Sequence, residues 1–250
     1  MEKRRSAVAR QEGDRWKGVD ATDPKSPSGH ARGMRISVGL TRQYRQTHRK
    51  GAMDITPQDV IDVLTGAGVE KWVLMGLHGY VGYLPQPRAT QDVDVLISHR
   101  DRERAVRAVH EAWPTLVVEE LEPVVRFGDP NDCFADGRPK PVIDLMLPWS
   151  PLNQAILRDR ENVLVDPETQ HFIPTVEAAL ASKYAAIISD FRDREKKEYD
   201  AGDFRRIARA NHGRVNRAHL RRLGDLVWQG GGEELERFLD IAPRDEPFPV

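Results

Sequence analysis

Cysteine is almost missing from this 250-residue chain: Cys133 stands alone, so no disulfide can form within it. That excludes a disulfide-stapled secreted scaffold and fits a reducing compartment. Cys133 sits in the polar run N-D-C-F-A-D-G, with no His–Asn or His–Asp partner at a recognisable spacing. It reads as an incidental thiol rather than a nucleophile. Long apolar runs are missing too. No stretch of about eighteen apolar residues and no secretory hydrophobic region occurs, so no membrane span is expected and the cytoplasm is the expected location. Net charge is also lacking: 38 basic and 39 acidic side chains leave −1. The balance conceals an asymmetry. The first fifty residues are basic, with Arg4, Arg5, Arg10, Arg15, Lys17, Arg42, Arg45, Arg49 and Lys50 among their cations, and the remainder is acidic on balance. Interleaved Glu2, Glu12, Asp14 and Asp20 argue against an organelle transit peptide.

Residues 1–52 read as a disordered basic tail, rich in Pro, Gly, Ser and charge, with a linker signal in D-P-K-S-P-S-G-H from Asp23. Such a tail is solvated, or it binds nucleic acid or acidic surfaces. Met34 and Met53 offer later starts for translation. Residues 53–174 carry the patterns of an α/β core. Thr56-Pro57 opens a helix, with Thr as cap, Pro at the first position and Val60, Ile61, Val63 and Leu64 inward. Residues 71–75 suit a buried strand, 78–83 a helix broken by Pro85 and Pro87, and 92–97 a strand of period two. Residues 100–112 form an amphipathic helix with Ala105, Val106, Val109 and Ala112 inward. Further strands are expected at 116–120, 124–127, 142–147, 163–165 and 171–173. Residues 175–250 form a C-terminal helical subdomain, with helices from Thr175 to about Ile187, over 200–210 and over 220–228. Strands come first and helices last, which is an α+β fold.

Three acids carry the chemistry. In P-R-A-T-Q-D-V-D-V-L-I, Asp92 and Asp94 are two residues apart, so in a strand they share a face while Val93 and Val95 point to the core. Two neighbouring carboxylates repel unless a cation lies between them, and magnesium suits such a pair together with phosphate oxygens. Asp144, in P-V-I-D-L-M-L, completes a triad if its strand is a neighbour, and three acids can hold two metal ions. Upstream, Gly76 ends an apolar run in W-V-L-M-G-L-H-G-Y and lets backbone approach a phosphate, with a helix N-terminus behind it.

This order of motifs resembles the nucleotidyltransferase superfamily with the polymerase-β-like fold, and its minimal bacterial branch of the AbiEii kind. Pro87, Arg88, Thr90, Asp92, Val93, Asp94 and Val95 match the family's P-R-x-T-x-D-h-D-h strand, and Gly76 matches the first glycine of its turn. Leu77 stands where the family has Gly or Ser, and His78 and Gly79 follow as in relatives with a G-x-H turn. The likeness spans roughly residues 69–207. It implies a polymerase-β-like sheet flanked by helices and a two-ion magnesium site on Asp92, Asp94 and Asp144, with Asp144 a metal ligand or the base. It implies nucleoside triphosphate held near Gly76, Leu77, His78, Arg88 and Lys183. Lys183 in A-L-A-S-K-Y-A-A matches the family's helical lysine; Lys197, Asp200 and Asp203 match its K-D-x-x-D segment loosely.

Lys183 on an apolar helix face needs a counter-charge, from a triphosphate or an acid. Arg88 either binds phosphate or pairs with an acid at the sheet edge. Trp113, Trp149 and Trp228 read as core or subdomain contacts, and Gly230-Gly231-Gly232 as a linker or cap. The run Arg192, Arg194, Lys196, Lys197 is a solvated helix end or a guide for a polyanion. The expected activity is transfer of a nucleoside monophosphate from a triphosphate to a hydroxyl on RNA, protein or a small molecule, with release of pyrophosphate. Two alternatives stand beside it. One is an inactive nucleotide-binding or partner-docking module, which Leu77 favours. The other is the toxin of a toxin–antitoxin pair, restrained by a separate antitoxin chain. A metal nuclease leaves the glycine turn unexplained.

Overall fold

Alternating apolar and polar residues build the sheet that organises the molecule. The computed structural model describes residues 29–49, 51–165, 169–244 and 246–248. Five strands form one mixed sheet in the order β1 (Trp72–Leu74), β2 (Val93–Ile97), β5 (Pro139–Met146), β4 (Val124–Cys133) and β3 (Val117–Glu120). β2 and β5 are parallel, and the other pairs are antiparallel. A parallel pair needs a long crossover. Helix α4 (Arg102–Ala112) and the strands β3 and β4 supply it. Val93, Val95, Val125, Phe127, Ile143 and Leu145 are buried, each worth about 1.5–3 kcal/mol of burial. The residues between them fall on the opposite face. Asp94 on β2 pairs with Asp144 on β5, Asp144 with Arg126 on β4, and Arg126 with Glu119 on β3. A charged row therefore crosses four strands.

Before the sheet come α1 (His30–His48) and α2 (Pro57–Gly66); α3 (Gly76–Tyr80) joins β1 to a 3-10 turn at Val81–Tyr83. After it come α5 (Pro151–Arg158), a hairpin of β6 (Glu161–Leu164) and β7 (Gln170–Ile173), and the helices α6 (Val176–Ile188), α7 (Arg194–Asn211), α8 (Arg217–Asp225) and α9 (Gly231–Ile241). Side-chain caps start several of them. Thr56 forms a full capping box with Asp59, and Ser150, Thr175 and Asn216 each accept from a backbone amide one turn on. Tyr184, Phe204, Phe238 and Phe248 meet edge-on or stacked between the last helices and the C-terminal segment.

The α+β arrangement agrees with the sequence reading; several particulars do not. Of the expected disordered tail, residues 1–28 lie outside the described residues, but α1 is an ordered helix. It buries His30, Ala31, Gly33, Met34, Ser37, Thr41 and Arg45. Of these seven only Ala31 and Met34 carry apolar side chains, with Val38 partly buried beside them, so the apolar stripe is short and ends before Thr41. Helices α5 and α9 were not anticipated, and β4 runs on past Phe127 to Cys133. Trp149 is 55% exposed rather than core. Ala112 faces solvent. Two expectations do hold: Gly230 is a cap, with φ of 96° at the N-cap of α9, and the half-exposed Trp228 is a subdomain contact, its indole N–H donated to Tyr184.

Candidate functional site

Asp94 and Asp144 are register partners across the parallel pair β2–β5, so their side chains project side by side from one face of the sheet. Burial, then the charges of Asp92 and Asp144, raise the Asp94 carboxyl well above the ordinary range, against the pull of Lys183 and Arg192. Burial likewise lifts Asp144 to about 6, although Arg126 pulls the other way and Asp92 adds to the rise. Arg126 Nε lies 3.4 Å from Asp144 Oδ2, while Asp144 Oδ1 is buried with no hydrogen-bond partner. Asp92 does not lie within the strand as expected. β2 begins at Val93, and the Thr90 hydroxyl donates to Asp92 Oδ1 at 2.8 Å.

Hard oxygen donors of this kind suit magnesium. Among the described residues no three Asp, Glu, His or Cys side chains are gathered closely enough to hold a metal ion. The acids are neighbours electrostatically without being a finished ligand cluster. The feature that fits a cation is the Asp94–Asp144 pair: two neighbouring carboxyl groups on one face, both raised, one with an orphaned oxygen.

Gly76 meets a carboxylate rather than open space. Its φ is 53°, and a Cβ added there would come within 1.9 Å of Asp94 Oδ2. The Met75 amide, just before it, donates to the Asp94 carbonyl at 2.8 Å. The turn thus seats Asp94 directly. Helix α3 behind it is only five residues long. Leu77 is buried in the core, and His78 is buried with burial first and Arg45 second lowering it to about 3. His78 lines a small cavity of about 10 Å³ with Thr41, Arg45, Thr90 and Asp92, on the α1 side.

Arg88 and Lys183, expected at phosphate, are held by acids of α7. Lys183 Nζ lies 2.8 Å from Asp200 Oδ1 and 3.2 Å from Asp203 Oδ2, over the Tyr80 ring. Arg88 Nη2 donates to Asp203 Oδ2 at 2.8 Å, Tyr80 Oη donates to the same oxygen at 2.5 Å, and Arg206 reaches Asp203 Oδ1. Burial would raise Asp203; the hydrogen bond from Arg88 and the charges of Lys183 and Arg88 outweigh it and hold it at about 2. Burial works against the Lys183 cation too, yet Tyr80, Asp203 and Asp200 raise its pKa. The lysine's counter-charge is therefore Asp200 and Asp203, the pair that matched the family segment loosely. Removing one partner of a buried network leaves charges uncompensated, so Asp203→Asn should cost about 3–5 kcal/mol in urea unfolding at neutral pH. The folded value of Asp203 lies below its ordinary 3.8. Its stabilisation is thus present above about pH 4 and is lost as pH falls toward about 2. The variant should lack that part of the acid limb.

An open cleft of about 440 Å³ adjoins the acids, lined by Met75, Arg126, Met146, Ser182, Phe191, Arg192 and Lys196 among others. Phe191 is fully exposed, and Arg192 Nε is 2.5 Å from Asp200 Oδ2. Sequence reasoning missed Arg126 and Phe191. The signal for Arg126 was present: in V-V-R-F the neighbours Val125 and Phe127 are apolar, which places Arg126 on the polar face. Nothing in the sequence places Phe191 beside the sheet.

No family model matches the chain, and no curated protein matches it. Among solved structures, an antigenic nucleotidyltransferase-like protein from Paracoccidioides brasiliensis is similar over 85% of this chain and 94% of its own, at 13% identity and a TM-score of 0.41. Terminal uridylyl transferase 4 from Trypanosoma brucei with bound GTP is similar over 74% of this chain and 63% of its own, at 15% identity and a TM-score of 0.28. At such distances neither likeness carries the role of a residue across to this chain.

Proposed function

We propose that the chain is a metal-dependent nucleotidyltransferase that moves a nucleoside monophosphate from a triphosphate to a hydroxyl acceptor. The observation that carries the reading is the neighbouring pair Asp94–Asp144, flanked by Asp92 and seated by Gly76 at the edge of a cationic cleft. Magnesium, held by Asp94 and Asp144 with Asp92 beside them, would supply charge neutralisation at the phosphates and polarise the phosphorus centre. The residues supply the rest. Asp144 is a ligand or the base: left off the metal, its Oδ1, which has no hydrogen-bond partner, takes the proton of the acceptor hydroxyl as that oxygen bonds to the α-phosphorus. The bond from that phosphorus to the bridging oxygen breaks, and pyrophosphate leaves. Arg126, Arg192 and Lys196 line the cleft and offset the charge of the phosphates, and Phe191 offers a ring face to a base. Positioning and charge do the work, with no covalent intermediate on the protein.

One specific observation favours a second reading, a module that binds nucleotide without turnover. Lys183 is occupied by Asp200 and Asp203, and Leu77 fills the core. The two readings separate in one experiment. Protein is incubated with magnesium, each of four α-labelled triphosphates, and RNA, protein or small-molecule acceptors, beside the double variant Asp92→Ala/Asp94→Ala. Transfer to one acceptor class is expected, with none in the variant. Acid-dependent binding without transfer supports the module; transfer retained in the variant removes the metal assignment. Among the described residues no helix is long and apolar enough to cross a membrane.

A further inference from the structure

Helix α1 lies outside every motif named above, yet it reaches the site. Ser37, Thr41 and Arg45 recur every fourth residue, and so share one helix face; Arg49 follows at the C-cap. All four grip one irregular run of chain, 88–91, which leads into Asp92. Ser37 Oγ donates to the Arg88 carbonyl at 2.7 Å. Thr41 Oγ1 accepts from the Thr90 amide at 3.2 Å, and its one proton is shared between the Thr90 and Ser37 carbonyls, each 2.9 Å away. Arg45 Nη2 donates to the Gln91 carbonyl at 2.7 Å, and Arg49 Nη1 to the Gln91 side chain at 2.6 Å. The run belongs to no helix or strand, so its backbone groups have no ladder to satisfy them, and the helix provides the partners instead.

The grip ends at the acids. Thr90, held at its amide by Thr41, donates its hydroxyl to Asp92 Oδ1 at 2.8 Å. Asp92 stands before the strand, so no sheet pairing holds it. Arg45, buried, lies close enough to feel the charge of Asp92 as well as Asp54. The helix is itself anchored. His30 Nε2 and His171 Nδ1 share a hydrogen bond of 3.0 Å, and His171 Nε2 reaches Gln58 at 2.9 Å. Gly33 lets α1 close onto Val81, where an added Cβ would meet the Val81 carbonyl at 3.1 Å.

We propose that α1 is a positioning element of the acid site, in which Thr41 is the residue that sets Asp92 through Thr90. This rests on the transferase reading for its effect on rate, but the positioning can be read without it. Full-length Thr41→Val keeps the shape and removes the hydroxyl. Thr47→Val, whose hydroxyl bonds only within α1 and to His48, is the control. Two readouts are taken: hydrogen exchange at the amides of 90–94, and kcat and KM for the triphosphate. Exchange in Thr41→Val should rise about tenfold over the control, the loss of one hydrogen bond. kcat should fall about tenfold or more with KM unchanged, and Thr41→Ser should restore both. Exchange at the control's level overturns the positioning, whether or not the wild type is active. Raised exchange with wild-type kcat overturns the link to catalysis while leaving the transferase reading intact. A wild type that transfers nothing defeats the transferase reading, and exchange alone then decides the role of Thr41.

Discussion

Asp94→Asn should lose about a thousandfold or more in transfer rate while becoming the more stable protein in metal-free buffer. The two effects have one cause. Burial and the charges of Asp92 and Asp144 oppose ionisation of Asp94, so without metal folding must either bury its charge or protonate it. Asparagine keeps the volume and removes the charge. Relief of roughly 1 kcal/mol corresponds to a rise of about 2–4 °C in Tm for a chain of this size. Magnesium should reverse the ranking, because ligand bound only to the folded state adds stability to the wild type and not to the variant. Thermal melts of both proteins with and without magnesium, alongside the incorporation assay, test it. A metal-free variant less stable than the wild type would mean that Asp94 is a structural hydrogen-bond acceptor and not a poised ligand.

Gly76→Ala should be strongly damaging. Two independent penalties meet at that Cα. A left-handed φ of 53° disfavours any side chain, and the added carbon would lie 1.9 Å from Asp94 Oδ2. Backbone strain and overpacking together suggest a loss of about 2–5 kcal/mol, and the part relieved by moving Asp94 should appear as lost activity. Gly39→Ala is the matched control: it lies inside α1 with nothing within 4 Å. That change should instead stabilise by about 0.5–1 kcal/mol. Urea unfolding of the three proteins reads both signs, and equal stability of Gly76→Ala and wild type would refute the steric account.

The acid-bearing strand and its partner were legible because period-two alternation shows in V-D-V-L-I and V-I-D-L-M, and buried valines and leucines leave the aspartates one face. That Asp94 and Asp144 are register partners was not legible, since register depends on how β5 seats between β2 and β4. Asp92 illustrates the limit of periodicity: its spacing places it on the acid face, yet the strand starts one residue later. The need of Lys183 for a counter-charge could be read from its apolar neighbours, but the choice of Asp200 and Asp203 over a ligand follows from the packing of α6 on α7. Helix α1 was invisible for a physical reason. Beyond Ala31, Met34 and Val38 it docks by hydroxyls and guanidinium groups onto part-buried backbone carbonyls, and that chemistry has the composition of a disordered tail.

The anchoring of α1 also orders events in time. Ser37 meets Arg88 across 51 positions, whereas His30 meets His171 across 141. Contacts of such separation form late, because the loop they close must first be paid for in chain entropy. During synthesis the first helix emerges long before β7, the strand that seats its N-terminal histidine. The chain can therefore assemble the sheet, and bring Asp94 against Asp144, before α1 is fully docked. What closes last is the seat of the helix's N-terminal end on His171, whereas the grip of Thr41 on Thr90 spans only 49 positions and can form with the sheet.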